Sequence, residues 1–363
     1  MYNTRKFLNI AIKEAYKNLG FTFPNPAVGC VLVKEEKIIK KAVTNITGSP
    51  HAEAVLFQGL TKSQTDGATL YITLEPCSHY GKNPPCVQYI IDHNIKKVVI
   101  GCLDQNRLVS GKGVKELQKN NIAVMIVNDP NAVYLHRYFN FYITHNMPYI
   151  TAKLAVSIDG KIALKNGHSK WITNQDSRDL VHLMRSQHDA VMTAVGTINT
   201  DNPRLNCRIA GYYKDKLIIV LDKNLEISEN ALIVEKCKES PLWIITSDNV
   251  SNRKVELLTR LGVTIYQFSS DVIANKLHII MEFIAKQGIN SIFCEAGSYI
   301  TELYKNNLIN ELIVFRSDKI LGNDAKAMIS NLNLLNLDIQ NQIRLIKHKN
   351  LYSGDRVEYY QLK

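Results

Sequence analysis

The chain has 363 residues, of which 45% are hydrophobic, and its formal net charge is +11. A domain usually holds about 100–200 residues, so this length predicts two domains. No apolar run approaches the ~18 residues of a membrane span, and seven cysteines, an odd number without framework spacing, argue against a disulfide-bonded secreted protein. Lys13, Glu14 and Lys17 interrupt any apolar signal-peptide core, so we expect a cytoplasmic protein with no membrane partner.

The positive charge is compatible with two kinds of partner. Basic proteins attract nucleic acids, but the lysines are dispersed here, and Asn and Ile are frequent too, which indicates a general compositional bias. A small phosphorylated substrate would suit a basic protein equally well. We therefore expect a small phosphorylated substrate and no nucleic acid.

The first half alternates between helical and strand patterns. Apolar residues recur at helical spacing over residues 4–19, and Gly20 ends this helix. Two prolines then fix φ on either side of Asn25, whose amide is either a rigid substrate contact or a turn cap. Further predictions are strands at 28–33, 37–43, 68–75, 96–103 and 122–127, a helix from near residue 51, a helix or turn from 76, a helical segment at 87–93, and helices at 111–119 and 132–143. This alternation predicts an α/β sandwich.

The most informative motif joins His51-Ala52-Glu53 to Cys77 and Cys86. One imidazole and two thiolates are three soft ligands, and a zinc ion held by three protein ligands keeps its fourth position open to water, as catalytic sites do. His-x-Glu followed by Pro-Cys and a second cysteine is the signature of zinc deaminases, although eight residues separate the cysteines here instead of two. We predict one zinc ion per chain, held by His51, Cys77 and Cys86.

Glu53 follows the histidine ligand by two residues. Zinc lowers the pKa of its water to about 7, and a carboxylate at this spacing can move the proton that the water gives up. We predict that Glu53 is this catalytic proton shuttle. For each residue taken singly, the alternative is an ordinary helical His-Ala-Glu segment and two buried cysteines without a metal.

The pattern breaks at His145-Asn146-Met147-Pro148, which predicts domains of residues 1–147 and 148–363. The second domain again alternates, which predicts another α/β fold. Its predicted elements are strands at 149–156, 161–164 after a hairpin-like turn, 217–221, 242–246, 263–268, 291–295, 311–315 and 357–362, an apolar run at 190–198, and helices at 176–187, 255–260, 274–286 and after residue 297. Gly297 is compatible with an anion site at a helix start. Because Gly-x-Gly-x-x-Gly is absent, any dinucleotide would bind through another fold.

With these motifs established, the chain resembles the bifunctional riboflavin-biosynthesis family, in which a diaminohydroxyphosphoribosylaminopyrimidine deaminase is fused to a 5-amino-6-(5-phosphoribosylamino)uracil reductase. The resemblance covers nearly the whole chain. Its most specific segments are PNPAVG at 24–29, HAE at 51–53, TLEPCSHYGKNPPC at 73–86, KLAVSIDG at 153–160, SKWIT at 169–173 and EAG at 295–297. The family implies a cytidine-deaminase-like α/β/α sandwich, then a dihydrofolate-reductase-like α/β domain that binds NADPH without a Rossmann motif.

The activity implied by the resemblance has two steps. A pyrimidine amino group is removed by zinc-dependent hydrolysis, and the ribosyl chain is then reduced to ribityl with NADPH. A nucleic-acid (tRNA) deaminase with an extra domain is the alternative that the charge favours, but it would have the short cysteine spacing and would leave residues 148–363 unexplained. A non-catalytic zinc-stabilised module is another alternative, and Glu53 argues against it. We also expect a homo-oligomer.

Carried over by position, the resemblance implies binding residues in both domains. Those for the pyrimidine and ribose phosphate are Asn25, Lys82, Asp104 and Asn106. Those for the nicotinamide cofactor are Ala155, Trp171, Thr197, Asp201, Gly297, Ser298, Tyr299, Ile300, Thr301, Glu302 and Leu303. Those for the reductase substrate are Ser169, Arg185, Leu205, Arg208 and Glu295.

Two groups of these residues also have a chemical rationale of their own. A guanidinium binds phosphate bidentately, which favours phosphate contacts by Arg185 and Arg208 over surface ion pairing. Lys153, on the first strand of the second domain, is expected to flank the substrate ribose together with Glu295 and to assist proton transfer. The alternative for Lys153 and Glu295 is a buried ion pair that only stabilises the fold.

The chain departs from the family pattern at positions outside the zinc motif. Thr44 stands where the family has a histidine, seven residues before His51. Gln105 and Arg107 replace the prolines of an Asp-Pro-Asn-Pro loop, and Lys223 replaces a cofactor-side serine. We expect these changes to affect affinity rather than chemistry.

Overall fold

The computed structural model describes residues 2–79, 84–106, 109–209, 216–336 and 343–362. Lys82 and Arg107, to which the sequence assigns roles, lie outside these ranges. The chain forms two compact units, one of Met1–Met147 with Gly288–Asn290 and one of Pro148–Gln287 with Ser291–Lys363. Among the described residues, every helix is too short or too polar to cross a membrane.

The first unit is built on one five-stranded sheet. Its described helices are α1 (Tyr2–Tyr16), α2 (Ala52–Phe57), α3 (Lys62–Thr65), α4 (Cys86–Asp92), α5 (Lys112–Lys119), α6 (Pro130–Leu135) and α7 (Arg137–His145). Its strands are β1 (Gly29–Lys34), β2 (Lys37–Val43), β3 (Thr69–Leu74), β4 (Lys97–Cys102) and β5 (Ala123–Ile126), in the order β2-β1-β3-β4-β5. β1 is antiparallel to β2 and β3, whereas β3, β4 and β5 are parallel. The parallel strands therefore end at the same edge of the sheet, where α/β folds commonly bind ligands.

Helices cover both faces of this sheet because its strands are apolar on both sides. On one face, α1 packs on β1, β3 and β4 through Phe7, Ala11, Val31, Val33, Tyr71 and Val99. On the other face, α2, α4 and α5 contribute Leu56, Ile90 and Leu117, which join Leu32, Leu70 and Ile100 in a second buried cluster. Successive strand residues point to opposite faces, so both clusters are assembled from the same strands. This is the predicted α/β/α sandwich.

The second unit is built on a nine-stranded sheet. Its described helices are α8 (Gln175–Ser186), α9 (Val195–Asp201), α10 (Leu232–Glu235), α11 (Asn252–Arg260), α12 (Ser270–Asn275), α13 (Leu277–Lys286) and α14 (Ile300–Lys305), preceded by a 3-10 turn at Gly297–Tyr299. Its strands are β6 (Tyr149–Val156), β7 (Lys161–Ala163), β8 (Ala190–Ala194), β9 (Leu217–Leu221), β10 (Leu242–Ser247), β11 (Thr264–Phe268), β12 (Ser291–Cys294), β13 (Glu311–Arg316), β14 (Lys326–Ala327), β15 (Ile343–Asn350) and β16 (Arg356–Leu362).

The order of the large sheet is β11-β10-β9-β8-β12-β6-β13-β16-β15. Strands β11 to β13 in this order are parallel, and β16 and β15 are antiparallel additions at one edge. The parallel part matches the alternation of strands and helices along the chain, since parallel neighbours need crossover connections. The predicted α/β class is therefore confirmed for this unit as well.

Several predicted elements were wrong in detail. The helix expected at 132–143 is two helices, because the chain breaks at His136, whose Nε2 lies 3.1 Å from Thr73 Oγ1 in the buried interior. The helix expected at 274–286 likewise breaks at Lys276, where φ is −131° and ψ is 49°. The run at 190–198 divides into β8 and α9, and in the described residues no helix begins at 76. The hairpin-like turn at 157–160 is present, with the Ser157 N–H donating to the carbonyl of Lys161 at 2.9 Å, and β7 then pairs with β14.

β15 was not predicted from the sequence. It is the edge strand of the large sheet, and all 8 of its residues are exposed. Ile343, Leu345 and Ile346 are between 42% and 45% exposed. Because neither face of the strand is buried, its sequence lacks the alternation of apolar and polar residues that identifies a half-buried strand.

Helix α1 lies directly on the backbone of β1 at Gly29. A Cβ atom at this position would lie 2.0 Å from the carbonyl oxygen of Ala11 and 2.8 Å from the amide nitrogen of Ala15. The glycine therefore permits a helix-to-strand approach that no other residue allows.

We predict that Gly29→Ala lowers the melting temperature of the protein, because overpacking a core typically costs about 1–3 kcal/mol. Gly196→Ala is the matched control, since a Cβ there meets no atom within 4 Å and the position lies in α9. Alanine in a helix is favoured over glycine by roughly 0.5–1 kcal/mol, so the control should melt no lower than the parent. Thermal denaturation followed by circular dichroism measures both variants. Equal melting of Gly29→Ala and the parent would contradict the close approach.

Candidate active site

The three predicted metal ligands converge beside the end of β3. His51 immediately precedes α2, Cys77 follows β3 and Cys86 is the first residue of α4. His51 Nδ1 lies 3.3 Å from Cys86 Sγ and 3.8 Å from Cys77 Sγ. The three donor atoms all lie within 4.8 Å of one another, and no other group of three His, Cys, Asp or Glu residues does so in the described part of the chain.

The protonation of this cluster is strongly perturbed. Hydrogen bonding with the Cys86 side chain, aided by His51, lowers the pKa of Cys77 to about 4 despite burial. The backbone N–H of Cys86 also donates to Cys77 Sγ over 3.4 Å. The interaction with Cys77 and burial together raise the pKa of Cys86, while hydrogen bonding to Cys77 raises that of His51. Two sulfurs and one imidazole whose donor atoms lie within 4.8 Å of one another form a donor set that fits a zinc ion.

Glu53 lies in the first turn of α2 and is only 4% exposed. Burial, with a contribution from the negative charge of Cys77, raises the pKa of Glu53 to about 7. A carboxyl group with such a pKa can both accept and release a proton near neutral pH.

A cavity of about 300 Å³ opens onto this cluster. Its lining includes His51, Glu53 and Cys77, together with the three predicted substrate residues that the structure describes, Asn25, Asp104 and Asn106. Thr44 also lines it, and its Oγ1 accepts a hydrogen bond from the Val28 N–H at 3.0 Å. The structure therefore brings the described first-domain predictions into one cavity.

The side chains of Asn25 and Asp104 also form hydrogen bonds with backbone groups of the first unit. Asn25 Nδ2 donates to the carbonyl of Gly48 at 2.9 Å, so this amide holds a turn and lines the cavity at once. Asp104 accepts the N–H of Asn106 at 2.7 Å, and burial raises its pKa to about 6. A second carboxyl group that can be neutral or charged therefore lies in the same cavity.

Sequence reasoning missed several residues that line this cavity. They are Glu75, His79, and Phe139, Tyr142 and Ile143 of α7. Glu75 is buried and accepts the N–H groups of Gly111 and Val114, at 3.0 and 3.2 Å, so it anchors the start of α5. The i, i+3, i+4 spacing of the α7 residues was the only available signal, and it predicts a packed helix face as readily as a cavity wall.

In the second unit, Glu295 lies at the centre of a cluster of charges. Arg185 binds it bidentately, with Nε 2.6 Å from Oε1 and Nη2 3.1 Å from Oε2. Lys153 Nζ lies 3.7 Å from Oε2. Burial alone would raise the pKa of Glu295, but the positive charges of Arg185 and Lys153 outweigh burial and lower it. Burial lowers the pKa of Lys153. The guanidinium that the sequence assigns to a phosphate is therefore paired with a carboxylate in this structure.

Other predicted substrate residues surround this cluster. Arg185 Nη1 donates to the carbonyl of Asn206 at 3.0 Å, and Arg208 Nη1 donates to Asn206 Oδ1 at 2.9 Å. Leu205, just before Asn206, is buried with a φ of 52°. Ser169 Oγ donates to both oxygens of Asp201 at 3.2 Å. Arg185 and Arg208 therefore both contact Asn206, and the predicted substrate residue Ser169 contacts the predicted cofactor residue Asp201.

The predicted cofactor residues divide into accessible and buried ones. Gly297 is partly exposed with a φ of 53°, and a Cβ there would lie 3.7 Å from Thr197 Oγ1, so these two predicted residues adjoin. Tyr299 and Glu302 line a cavity of about 270 Å³ that also includes Asp222 and Lys223. The segment that begins at Gly297 therefore reaches this cavity. In contrast, the buried or packed side chains are Ala155, Ile300, Thr301 and Leu303. These four can contribute little beyond their backbone.

Trp171 and Ser298 are more open. Trp171 is 64% exposed with a φ of 68°, and the guanidinium of Arg178 lies 4.4 Å from its ring centre. Its carbonyl accepts a hydrogen bond from Lys319 Nζ. Ser298 is exposed at the 3-10 turn that precedes α14. These residues are accessible to a ligand.

Comparisons with known proteins give matches for both units. Residues 1–102 match the cytidine and deoxycytidylate deaminase zinc-binding region, and residues 148–354 match the RibD C-terminal domain. The chain is 36% identical over 349 residues to riboflavin biosynthesis protein RibD of Aquifex aeolicus, covering 96% of this chain and 95% of that protein. It is 32% identical to RibD of Escherichia coli, with 88% of each chain covered.

Solved structures give the same result. Acinetobacter baumannii RibD superposes with a TM-score of 0.86 at 30% identity, covering 100% of this chain and 99% of that chain. A deaminase/5-amino-6-(5-phosphoribosylamino)uracil reductase from Thermotoga maritima gives the same TM-score, identity and coverage. Fold, motifs and matches define a zinc-binding deaminase domain joined to a reductase domain. The chain belongs to the RibD family of riboflavin biosynthesis proteins, as the motifs of the sequence indicated.

We predict that Cys77→Ala or Cys86→Ala abolishes zinc binding, because removing one thiolate leaves two protein donors where three are needed. Cys237→Ala, a buried cysteine of the second unit, is the control and should retain the metal. Elemental analysis of the purified proteins gives the zinc content directly. Full zinc in Cys86→Ala would contradict the assignment of that ligand.

Proposed function

We propose that this chain catalyses two consecutive reactions of riboflavin biosynthesis. Residues 1–147 deaminate 2,5-diamino-6-(5-phosphoribosylamino)pyrimidin-4(3H)-one to 5-amino-6-(5-phosphoribosylamino)uracil, and residues 148–363 reduce its ribosyl chain to ribityl with NADPH. The observation that carries the proposal is the opening of one cavity onto His51, Cys77 and the buried carboxyl group of Glu53. The test is ammonia release from the diaminopyrimidine, followed by NADPH oxidation.

The first reaction is a hydrolysis in which water replaces the amino group and ammonia leaves. One zinc ion per chain, held by His51, Cys77 and Cys86, would supply Lewis acidity that lowers the pKa of water to about 7. Glu53 accepts a proton from the attacking water and gives it to the ring nitrogen as the oxygen bonds to the amino-bearing carbon. Glu53 then takes the proton of the hydroxyl group now on that carbon and gives it to the amine, so that the carbon–nitrogen bond breaks and ammonia leaves. Its burial and its position in the cavity support this role, since a shuttle must reach both water and ring. Asn25, Asp104, Asn106 and Lys82 hold the substrate.

The second reaction needs a hydride and a proton. NADPH, when bound, would supply the hydride to the sugar carbon C1′, the bond from C1′ to the ring oxygen breaks, and the ring oxygen takes up the proton. Lys153 and Glu295 flank the ribose and assist proton transfer to the ring oxygen, while Ser169, Leu205 and the two arginines bind the rest of the substrate. The contact of Lys153 with Glu295 supports a shared role, and it is equally what a stabilising ion pair requires. The NADPH residues are those named from the sequence, and the proximity of Gly297 to Thr197 supports a shared role for these two.

Further proposals concern the state of the protein in the cell. We place it in the cytoplasm as a homo-oligomer with a small pyrimidine substrate. The tRNA deaminase alternative has no support in the comparisons, which match both halves of the chain to RibD proteins. A non-catalytic zinc module would not need the buried Glu53 in the cavity.

We predict that Glu53→Gln retains zinc and fold but loses deamination. The amide has nearly the same shape and cannot accept a proton, and general acid–base catalysis contributes about 10²–10⁴-fold. Ammonia release, zinc content and reductase activity are measured on the same preparation, so the second domain is the internal control. Near parental ammonia release would make Glu53 a structural residue.

We predict that the reductase reaction survives removal of zinc from the full chain, because hydride transfer needs a positioned nicotinamide and an electrophilic carbon. The deaminated substrate and NADPH are supplied after chelation, and NADPH oxidation is followed.

Glu295→Gln should reduce kcat at least about tenfold, towards the range of general acid–base effects. If the Glu295→Gln variant keeps the parental kcat and the parental melting temperature, Glu295 has no role in proton transfer and serves only to stabilise the fold.

A further inference from the structure

Helix α7 supplies one side of the deaminase cavity. Phe139, Tyr142 and Ile143 line that cavity together with His51 and Glu53. Their i, i+3, i+4 spacing places them on one face of the helix. All three are partly exposed rather than fully buried. Two aromatic rings therefore face the space in which the reacting group must lie.

The start of α7 is held rigidly, so these rings are preorganised. His136, between α6 and α7, is buried, and its Nε2 lies 3.1 Å from Oγ1 of Thr73 on β3, the strand that leads to Cys77. The Arg137 guanidinium lies 3.7 Å and 4.0 Å from the ring centres of Tyr134 and Tyr138. Binding groups carried by such a fixed element keep their geometry better than groups on loops.

The remaining lining divides the cavity into reactive and apolar parts. His51, Glu53 and Cys77 form the reactive part, while Pro24, Pro26 and Val28 add apolar surface. The Tyr142 ring lines the cavity beside this apolar surface. The cavity volume of about 300 Å³ lies at the lower end of the ~300–1,000 Å³ usual for small-molecule sites. It suits a single heterocycle.

Building on the proposed function, we propose that Phe139 and Tyr142 form the wall on which the pyrimidine ring of the deaminase substrate stacks. Aromatic side chains favour offset-stacked or edge-on contact with planar rings. Every nucleobase has a π-face, so such a wall binds the ring and leaves the choice of exocyclic groups to the polar residues. Phe139 and Tyr142 are then substrate-binding residues for the first reaction.

The test is a direct binding measurement. In the Glu53→Gln background, which binds substrate without turnover, calorimetric titration with the phosphoribosylated diaminopyrimidine gives Kd. Phe139→Ala and Tyr142→Ala should each raise Kd about tenfold, since base stacking is worth about 1–3 kcal/mol and tenfold is about 1.4 kcal/mol. Tyr142→Phe keeps the ring and should keep the parental Kd. In the Glu53-containing chain, the same alanine changes should raise KM for ammonia release.

Phe141→Ala is the matched control. Phe141 belongs to the same helix, but its ring stacks on His145 with centroids 4.3 Å apart and is not among the lining residues of the cavity. This variant should keep the parental Kd. Zinc content and reductase activity should be unchanged in every variant. This result would show that a raised Kd comes from the loss of the aromatic ring and not from a disturbed fold.

Parental Kd in both alanine variants, with full zinc content, would overturn the proposed wall. If the alanine variants do not fold, Phe139→Leu and Tyr142→Leu keep apolar volume without a planar ring, and parental Kd in both would have the same meaning. The two proposals fail in different ways. If the parental chain releases no ammonia, the proposed reaction is contradicted. If Phe139→Ala and Tyr142→Ala still raise Kd in that case, the proposed aromatic wall is supported.

Discussion

The meeting of three donor atoms at one point is the constraint on which the first unit depends. His51 and Cys86 stand at the starts of two helices and Cys77 follows β3, so three separate segments must be in register before their donors come within 4.8 Å. The packing of α2 and α4 on one face of the sheet provides that register. Two sulfurs, an imidazole and the buried Glu53 are costly to assemble without a cation, because buried charges require partners. The metal therefore completes the fold as well as the chemistry.

The second unit meets a similar electrostatic problem with its own side chains. Glu295 is compensated by Arg185 and Lys153. Removing one partner from a buried ion pair typically costs about 3–5 kcal/mol, so this cluster is fixed in the ground state. Arg185 is consequently less available to an incoming phosphate than an exposed arginine such as Arg208. Each unit thus carries its own source of compensating charge, which suits a metal-assisted hydrolysis and a metal-free reduction in one chain.

The residues that could be predicted are those whose chemistry restricts both type and spacing. His51, Cys77 and Cys86 belong to this group, since their side chains are ordinary zinc ligands, and the structure brings their donor atoms together. The helical face of α1 was visible as periodicity, and most strands were visible as short apolar runs, because both faces of the central strands are buried. The residue type of Arg185 was informative but its partner was not, because a guanidinium fork fits a carboxylate as well as a phosphate.

What could not be predicted depends on tertiary contacts. The break between α6 and α7 follows from the hydrogen bond of His136 to Thr73, which are 63 positions apart in the sequence. The cavity face of α7 has the same pattern as a core-packed helix, so Phe139 and Tyr142 gave no distinct signal. β7 and β14 are too short to have a periodic pattern, and their pairing joins distant segments.

The exposed edge formed by β15 has a consequence for the behaviour of the protein at high concentration. An edge strand presents unpaired backbone groups that can recruit a strand from another molecule. Its apolar Ile343, Leu345 and Ile346 would strengthen such recruitment, but Arg344, Lys347 and Lys349 lie on the same strand and carry positive charge along that edge. Two molecules that approach edge to edge must bring these like charges together. Their repulsion opposes indiscriminate extension of the sheet.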